Sequence, residues 1–306
     1  MTYNVICEGG NIMKNIMDLE IDLGNYNIKT STGVIFRSTF EYGIPCNPLG
    51  EHIISFNGNS YTMEKGTFNN TFNKAKKDYL PNLLYAIIKS SSNHQEDFNL
   101  MLGYPLDNSS VAEEFKEALR GNEYEVEYRR GSTIVNRIIR IHDVKCVGEG
   151  VSSHYTLNAN QRNEDCVLVD IGGRTSNVCV FVKRKLVNKF TIPLGTLDLF
   201  ESIISRWNND NGDNKTVEDA ERLIDNGYIT GTEIEEKQFL DELMNGIEKK
   251  LDRKVYQHNY YTGGGSLRLK FLIENYLEPH GEVLDNPLFS NVNGNKEINK
   301  ALKNGK

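Results

Sequence analysis

Apolar and polar residues alternate over 16–24 (IMDLEIDLG), which predicts a strand ending on Asp22-Leu23-Gly24-Asn25. A second and a third strand segment follow within 27–41. At 52–64 two alternating runs flank Asn57-Gly58, a strong signal for a tight hairpin. The spacing changes to a helical one at 78–91, where Pro81 sits in the first turn and is tolerated there. A buried strand is expected at 97–107, running into Gly103-Tyr104-Pro105. A Ser-capped helix at 109–121 should stop at Gly121. Residues 123–150 read as a hairpin and a following strand.

A second series of elements opens near 165. VLVDIGGRTSNVCVF (167–181) is an apolar run broken by one acid, Asp170, and a glycine turn before a second apolar run. Lys183-Arg184-Lys185 reads as a turn, and 186–195 as another strand. Helical spacing then predicts helices at 195–207, at 216–227 with a Thr216 cap and a Gly227 stop, and at 233–254. Residues 256–277 read as strand, glycine turn and helix. No repeat of solenoid period and no low-complexity linker is present.

At 306 residues, the chain is long enough for two domains at roughly 100–200 residues each. Its net charge of −7 argues against broad nucleic-acid binding through its own surface. No apolar run reaches the roughly 18 residues that a transmembrane helix needs. The five cysteines show no metal-binding spacing. Cys166 and Cys179 lie in apolar strands and read as core residues, which fits a reducing cytoplasm. Residues 1–12 differ in character from the rest of the chain. Glu8-Gly9-Gly10 shortly before Met13 matches a translated purine-rich ribosome-binding sequence, so 1–12 are expected to be a leader or a frayed terminus and Met13 a candidate start.

Three turns carry candidate chemistry: 21–29 (IDLGNYNIK), 169–178 (VDIGGRTSNV) and 261–267 (YTGGGSL). A glycine turn lets backbone amides approach a phosphate. An acid at the end of the preceding strand can hold Mg²⁺ through water. Gly263-Gly264-Gly265 followed by Ser266 places amides at a helix start, near an anion or a sugar. One D-x-G turn alone is most often only a hairpin. Two such hairpins, each opening one half of the chain, with a triple-glycine turn after the second, form a more specific order.

That order resembles the actin, Hsp70 and sugar-kinase ATPase superfamily. The resemblance implies an α/β actin-like fold of two ribonuclease H-like domains around a nucleotide cleft, with the three turns as first phosphate, second phosphate and adenosine loops. Within the superfamily the chain is similar to the bacterial plasmid-partition actins, the ParM-like proteins. The similarity rests on IDLGNYNIK, on MLGYPLD (101–107), on RIIRIHDVKCVGEGVSSHYTL (137–157), and on Phe289–Lys296, which resembles their FANVxGxxK signature. It implies a first domain over 13–164, to which 287–306 returns, and a second over 165–286.

The resemblance further implies that Asp22 and Asp170 position Mg²⁺ and water, and that Glu149 orients or activates the attacking water. Nucleotide contacts are expected from Gly24, Asn25, Tyr26, Asn27 and Lys29; from Gly172, Gly173, Arg174 and Thr175; from Glu218; and from Gly263, Gly264, Gly265 and Ser266. Arg174, where the family has Thr or Gly, reads either as a phosphate contact or as a solvated turn residue. Glu218 reads either as facing the adenosine or as part of a solvated helix face. The implied cofactors are ATP (or GTP) and Mg²⁺. The implied partners are further copies of the chain, in filaments, and a DNA-binding adaptor protein, with no direct nucleic-acid binding and no membrane. A small-molecule kinase of the same superfamily and a cell-shape actin homologue are the alternatives.

Overall fold

The computed structural model describes residues 15–68, 78–106 and 108–305. The expected leader 1–12 and Met13 lie outside the described residues. The first half contains β1 (Met17–Leu23), β2 (Asn27–Thr30), β3 (Ile35–Arg37), β4 (Phe40–Tyr42), β5 (His52–Phe56), β6 (Asn59–Met63), α1 (Leu80–Ser90), β7 (Asp97–Tyr104), α2 (Ser110–Leu119), β8 (Glu123–Arg130) and β9 (Thr133–Gly148). The second contains β10 (Cys166–Ile171), β11 (Ser176–Val182), β12 (Lys185–Ile192), α3 (Thr196–Asn211), α4 (Val217–Asp225), α5 (Glu233–Glu248), β13 (His258–Thr262), α6 (Gly263–Arg268), α7 (Lys270–Tyr276), β14 (Glu282–Val283) and α8 (Ser290–Lys303).

Nine strands form one sheet in the order β3-β2-β1-β7-β9-β8-β5-β6-β4, and five form another in the order β12-β11-β10-β13-β14. The run β3-β2-β1-β7-β9 repeats in the second sheet. In both, the first strand pairs antiparallel with the second and parallel with the strand on its other side. The outer pairs also keep their directions, antiparallel at one edge and parallel at the other. Register makes the two opening hairpins equivalent: Asp22 faces Lys29 across one, and Asp170 faces Asn177 across the other.

Each sheet has its own core. Leu19, Ile21, Leu100 and Leu102 pack with α1 and α2 residues such as Leu83, Ile87 and Phe115. Val167, Val169 and Val178 pack with α3 and α5 residues such as Leu197, Ile203 and Leu243. Cys166 and Cys179 are buried in a third, smaller cluster, and burial pushes both thiols up. The last helix, α8, leaves the second sheet and packs on β1 and β7 of the first.

Three elements differ from the sequence reading. The arm at 133–140 and the strand expected after it are one strand, β9. It pairs antiparallel with β8 up to Arg140 and parallel with β7 from there to Gly148. No glycine or proline interrupts 133–147, so nothing local divides it. The helix expected over 233–254 ends at Glu248. Beyond it the chain turns to bury Arg253, whose guanidinium donates to the Tyr261 hydroxyl (2.9 Å) and to Glu248 (3.1 Å). The triple glycine is the first turn of α6, joined directly to β13.

A 3₁₀ turn, Ser152–Thr156, follows β9 and carries the buried His154. Its ring stacks on Phe181 with centroids 3.8 Å apart. Burial, helped by Arg162 and Arg184, pulls the imidazole down to about 4. The folded state therefore keeps His154 neutral where the unfolded chain, with an ordinary value near 6.5, takes up a proton. Stability rises with pH in that window and falls as pH drops from about 6.5 towards 4. Between pH ~6.5 and ~5 this amounts to about 1–2 kcal/mol at ~1.4 kcal/mol per pH unit. His154→Phe, which keeps the stack, should lose less stability than the unaltered chain over that interval in urea melts.

Candidate functional site

The carboxyl ends of the central strands of both sheets converge on one cleft, the place where open α/β sheets bind ligands. Asp22 arrives on β1, Glu149 directly after β9, Asp170 on β10 and Gly263 directly after β13. Each position follows from the duplicated topology: a strand end carries the carboxylate, and the next residues must turn.

Three carboxylates and one ammonium group meet there. Lys29 Nζ lies 3.3 Å from an Asp22 oxygen, held by the hairpin register. Asn177 Nδ2 donates to Glu149 Oε2 over 3.3 Å, and Asn177 Oδ1 accepts from the Thr191 hydroxyl (2.9 Å). Asp170 is buried and accepts from Asn291 Nδ2 at 2.8 Å. Burial pushes Asp170 up to about 6, against the pull of Asn291 and Lys29, while Asp22 and Glu149 add to the rise. A β-carbon at Gly103 would stand 3.4 Å from the Glu149 side chain and 3.9 Å from an Asp22 oxygen, so β7 passes just behind this cluster.

The second turn docks on a helix. The carbonyls of Gly172 and Gly173 accept from the first amides of α3, Thr196 (2.9 Å) and Leu197 (2.8 Å). The Gly172 amide is engaged by the Thr175 carbonyl inside the turn (3.0 Å). The two glycine turns also touch. A β-carbon at Gly173 would come within 2.8 Å of Tyr26 Cβ and 3.0 Å of the Tyr26 amide, a spacing that only glycine permits.

The cleft is closed by contacts between sequence-distant residues. Tyr26 Oη donates to Glu221 on α4 at 2.7 Å, and its ring stacks on Phe68 with centroids 4.9 Å apart. The Glu218 carbonyl accepts from the Arg37 guanidinium, and its carboxylate accepts from the Phe68 amide at 3.2 Å. These bonds run from the first sheet and its loops to α4.

Of the residues proposed from sequence, Asp22, Gly24, Asn25, Tyr26, Asn27, Lys29, Glu149, Asp170, Gly172, Gly173, Thr175, Gly263 and Gly264 line this cleft. Four lie outside its lining. Arg174 reaches Glu201 on α3 (3.3 Å). Glu218 makes the bridging contacts just described. Gly265 packs against Ile171 and Thr196, and the Ser266 hydroxyl donates to the Gly263 carbonyl (2.8 Å). Asn177, Thr196, Leu288 and Asn291 line the cleft without having been singled out from sequence. Asn291 lies inside the Phe289–Lys296 signature, which was the available signal.

The family profile described as Actin like proteins N terminal domain matches residues 21–151. The structure also overlays on Ta0583, an archaeal actin homolog solved in complex with ADP. Identity is 18%, coverage is 94% of this chain and 100% of that one, and the TM-score is 0.74. The fold is actin-like. This actin-like fold is shared at TM-score 0.77 with a 15-stranded ParM filament from Clostridium botulinum, at 18% identity over 94% of this chain and 99% of that one. The Alp12 filament structure gives 0.62 at 17% identity, over 94% and 98%. No curated protein matches the sequence. At such identities the likeness concerns the fold, and the chemistry of the cleft rests on this chain's own side chains.

Among the described residues, no group of three or more His, Cys, Asp or Glu is arranged to hold a metal ion by itself. Mg²⁺ keeps several waters and takes one or two carboxylates rather than a full protein cage. The hard oxygen donors Asp22 and Asp170 are of the right chemistry. Among the described residues, no helix is long and apolar enough to cross a membrane.

Proposed function

We propose that this protein is a cytoplasmic ATPase of the actin-like fold that polymerises into dynamic filaments with ATP and Mg²⁺ and segregates plasmid DNA through an adaptor protein. One observation carries the reading: two equivalent strand–Asp–Gly hairpins, one from each sheet, face each other across a single cleft into which Glu149 projects. The ADP complex of the archaeal homologue and the filaments of the ParM and Alp12 proteins support it.

Bound Mg²⁺ supplies neutralisation of phosphate charge, with Asp22 and Asp170 as its holders. The chain's own groups do the rest. Lys29, beside Asp22, presents a point charge to the phosphates. Backbone amides of 24–27 and 173–175 offer donors where charge shifts during phosphoryl transfer. Glu149, fixed by Asn177, orients the attacking water and accepts its proton. The contacts of Tyr26, Arg37 and Phe68 with α4 draw the two sheets together, and this closure presents the surface for head-to-tail contact. A heterologous contact that does not close a ring builds an open filament. Hydrolysis then weakens the contact. The net charge of −7 fits a DNA link made through another protein.

Sedimentation tests this reading. The protein should pellet with ATP and Mg²⁺ but stay in the supernatant with ADP or with EDTA. Phosphate release without pelleting at any concentration would overturn the filament reading and direct attention to a small-molecule kinase substrate.

A further inference from the structure

We infer that Asn291 is a positioning residue for the proposed hydrolysis, one that locks Asp170 and the Glu149 turn into a single rigid unit. The inference rests on the ATPase reading and adds to it a residue from the far end of the chain.

Asn291 sits in the first turn of α8, the helix that packs on the first sheet, yet its amide reaches a carboxylate of the second. Both ends of its side chain are in use. Nδ2 donates to Asp170 Oδ2 at 2.8 Å. Oδ1 accepts from the Gly150 amide (3.1 Å), the Ser152 hydroxyl (3.1 Å) and the Ser153 hydroxyl (2.8 Å). Gly150 is the residue after Glu149, so the acceptor end fixes the turn that aims Glu149. The donor end fixes one oxygen of Asp170, a residue that lines the cleft. The neighbouring residue braces the arrangement: Ser290 Oγ is 2.9 Å from Ser153 Oγ and hydrogen-bonds Thr262, which faces Asp170 in the β10–β13 register. A half-buried amide with three donors on one oxygen has a fixed orientation. No rotation of it keeps both sets of bonds, because the NH₂ group cannot accept.

Asn291→Asp separates the two ends chemically. A carboxylate still accepts from Gly150, Ser152 and Ser153, but once ionised it cannot donate to Asp170 and stands against it as a like charge. Loss of such an outer partner costs about 10–100-fold where a ligating carboxylate depends on it. The expected result is an about 10–100-fold slower turnover in steady-state phosphate release, measured where the variant is still folded, with ADP binding retained. Asn291→Ser, which cannot reach Asp170 and adds no charge, is the second variant; it should show the same loss of turnover, with a lower melting temperature because Gly150, Ser152 and Ser153 lose their acceptor. Ser153→Ala removes one brace but keeps the Asp170 bond, so it should lower the melting temperature while turnover is retained. Turnover of Asn291→Asp and Asn291→Ser within about twofold of the unaltered chain would overturn the role. So would losses of turnover, affinity and melting temperature that run in parallel across all three variants. Absence of phosphate release from the unaltered chain is a different failure: it removes the ATPase reading itself, and the role of Asn291 falls with it.

Discussion

Glu149→Gln should slow phosphate release about 10²–10⁴-fold, the range lost when a positioned general base is removed, while nucleotide-dependent assembly persists. The substitution is nearly isosteric. A glutamine carbonyl still accepts from Asn177 Nδ2, so the turn after β9 keeps its support. What disappears is the group that takes the proton of the attacking water. If hydrolysis drives disassembly, filaments of this variant accumulate in ATP and Mg²⁺ instead of collapsing. Single-turnover phosphate release read beside sedimentation checks both halves. A variant that hydrolyses at the normal rate would remove Glu149 from the mechanism.

The largest effect on folding is expected at Gly294→Ala. A β-carbon there would lie 1.8 Å from the Ser152 carbonyl oxygen and 2.4 Å from its carbon, both backbone atoms that cannot swing away. Helix α8 must lift off the 152–156 turn to make room. Overpacking of this kind typically costs about 1–3 kcal/mol, and a clash with backbone lies at or beyond the upper end. The displacement also carries Asn291, one turn earlier on the same helix, away from Asp170. Gly294→Ala should therefore lose stability in urea melts and lose phosphate release together. Lys296→Ala, at an exposed position two residues on, should stay within about 0.5 kcal/mol of the unaltered chain.

The signature at Phe289–Lys296 shows what the sequence could and could not reveal. Its glycine is needed for close approach of α8 to the Ser152–Thr156 turn, and its first asparagine for the bond to Asp170. Neither reason is visible along the chain, because the partners lie more than a hundred residues away in sequence. The hairpins were legible because their causes are local. Alternation sets the strands, and Asn57-Gly58 and Lys183-Arg184 supply the positive φ that such tight turns require. The acid–glycine turns were legible for the same reason, and most of their residues do line one cleft. Glu218 and Arg174, for which the sequence left two readings each, lie outside that lining: Arg37 and Phe68 engage Glu218 from 181 and 150 residues away, and Glu201 engages Arg174 from the next helix. The continuity of β9 was missed because one strand changes partners half-way, from an antiparallel neighbour to a parallel one. Both partners fit the same alternating pattern.

The most direct test of nucleotide-driven filament dynamics is a simultaneous time course of right-angle light scattering and phosphate release after addition of ATP and Mg²⁺, with ADP as control. The expected result is a rise in scattering with ATP alone, followed by decay as phosphate appears, and no decay in Glu149→Gln. Phosphate release with flat scattering at every protein concentration would contradict it.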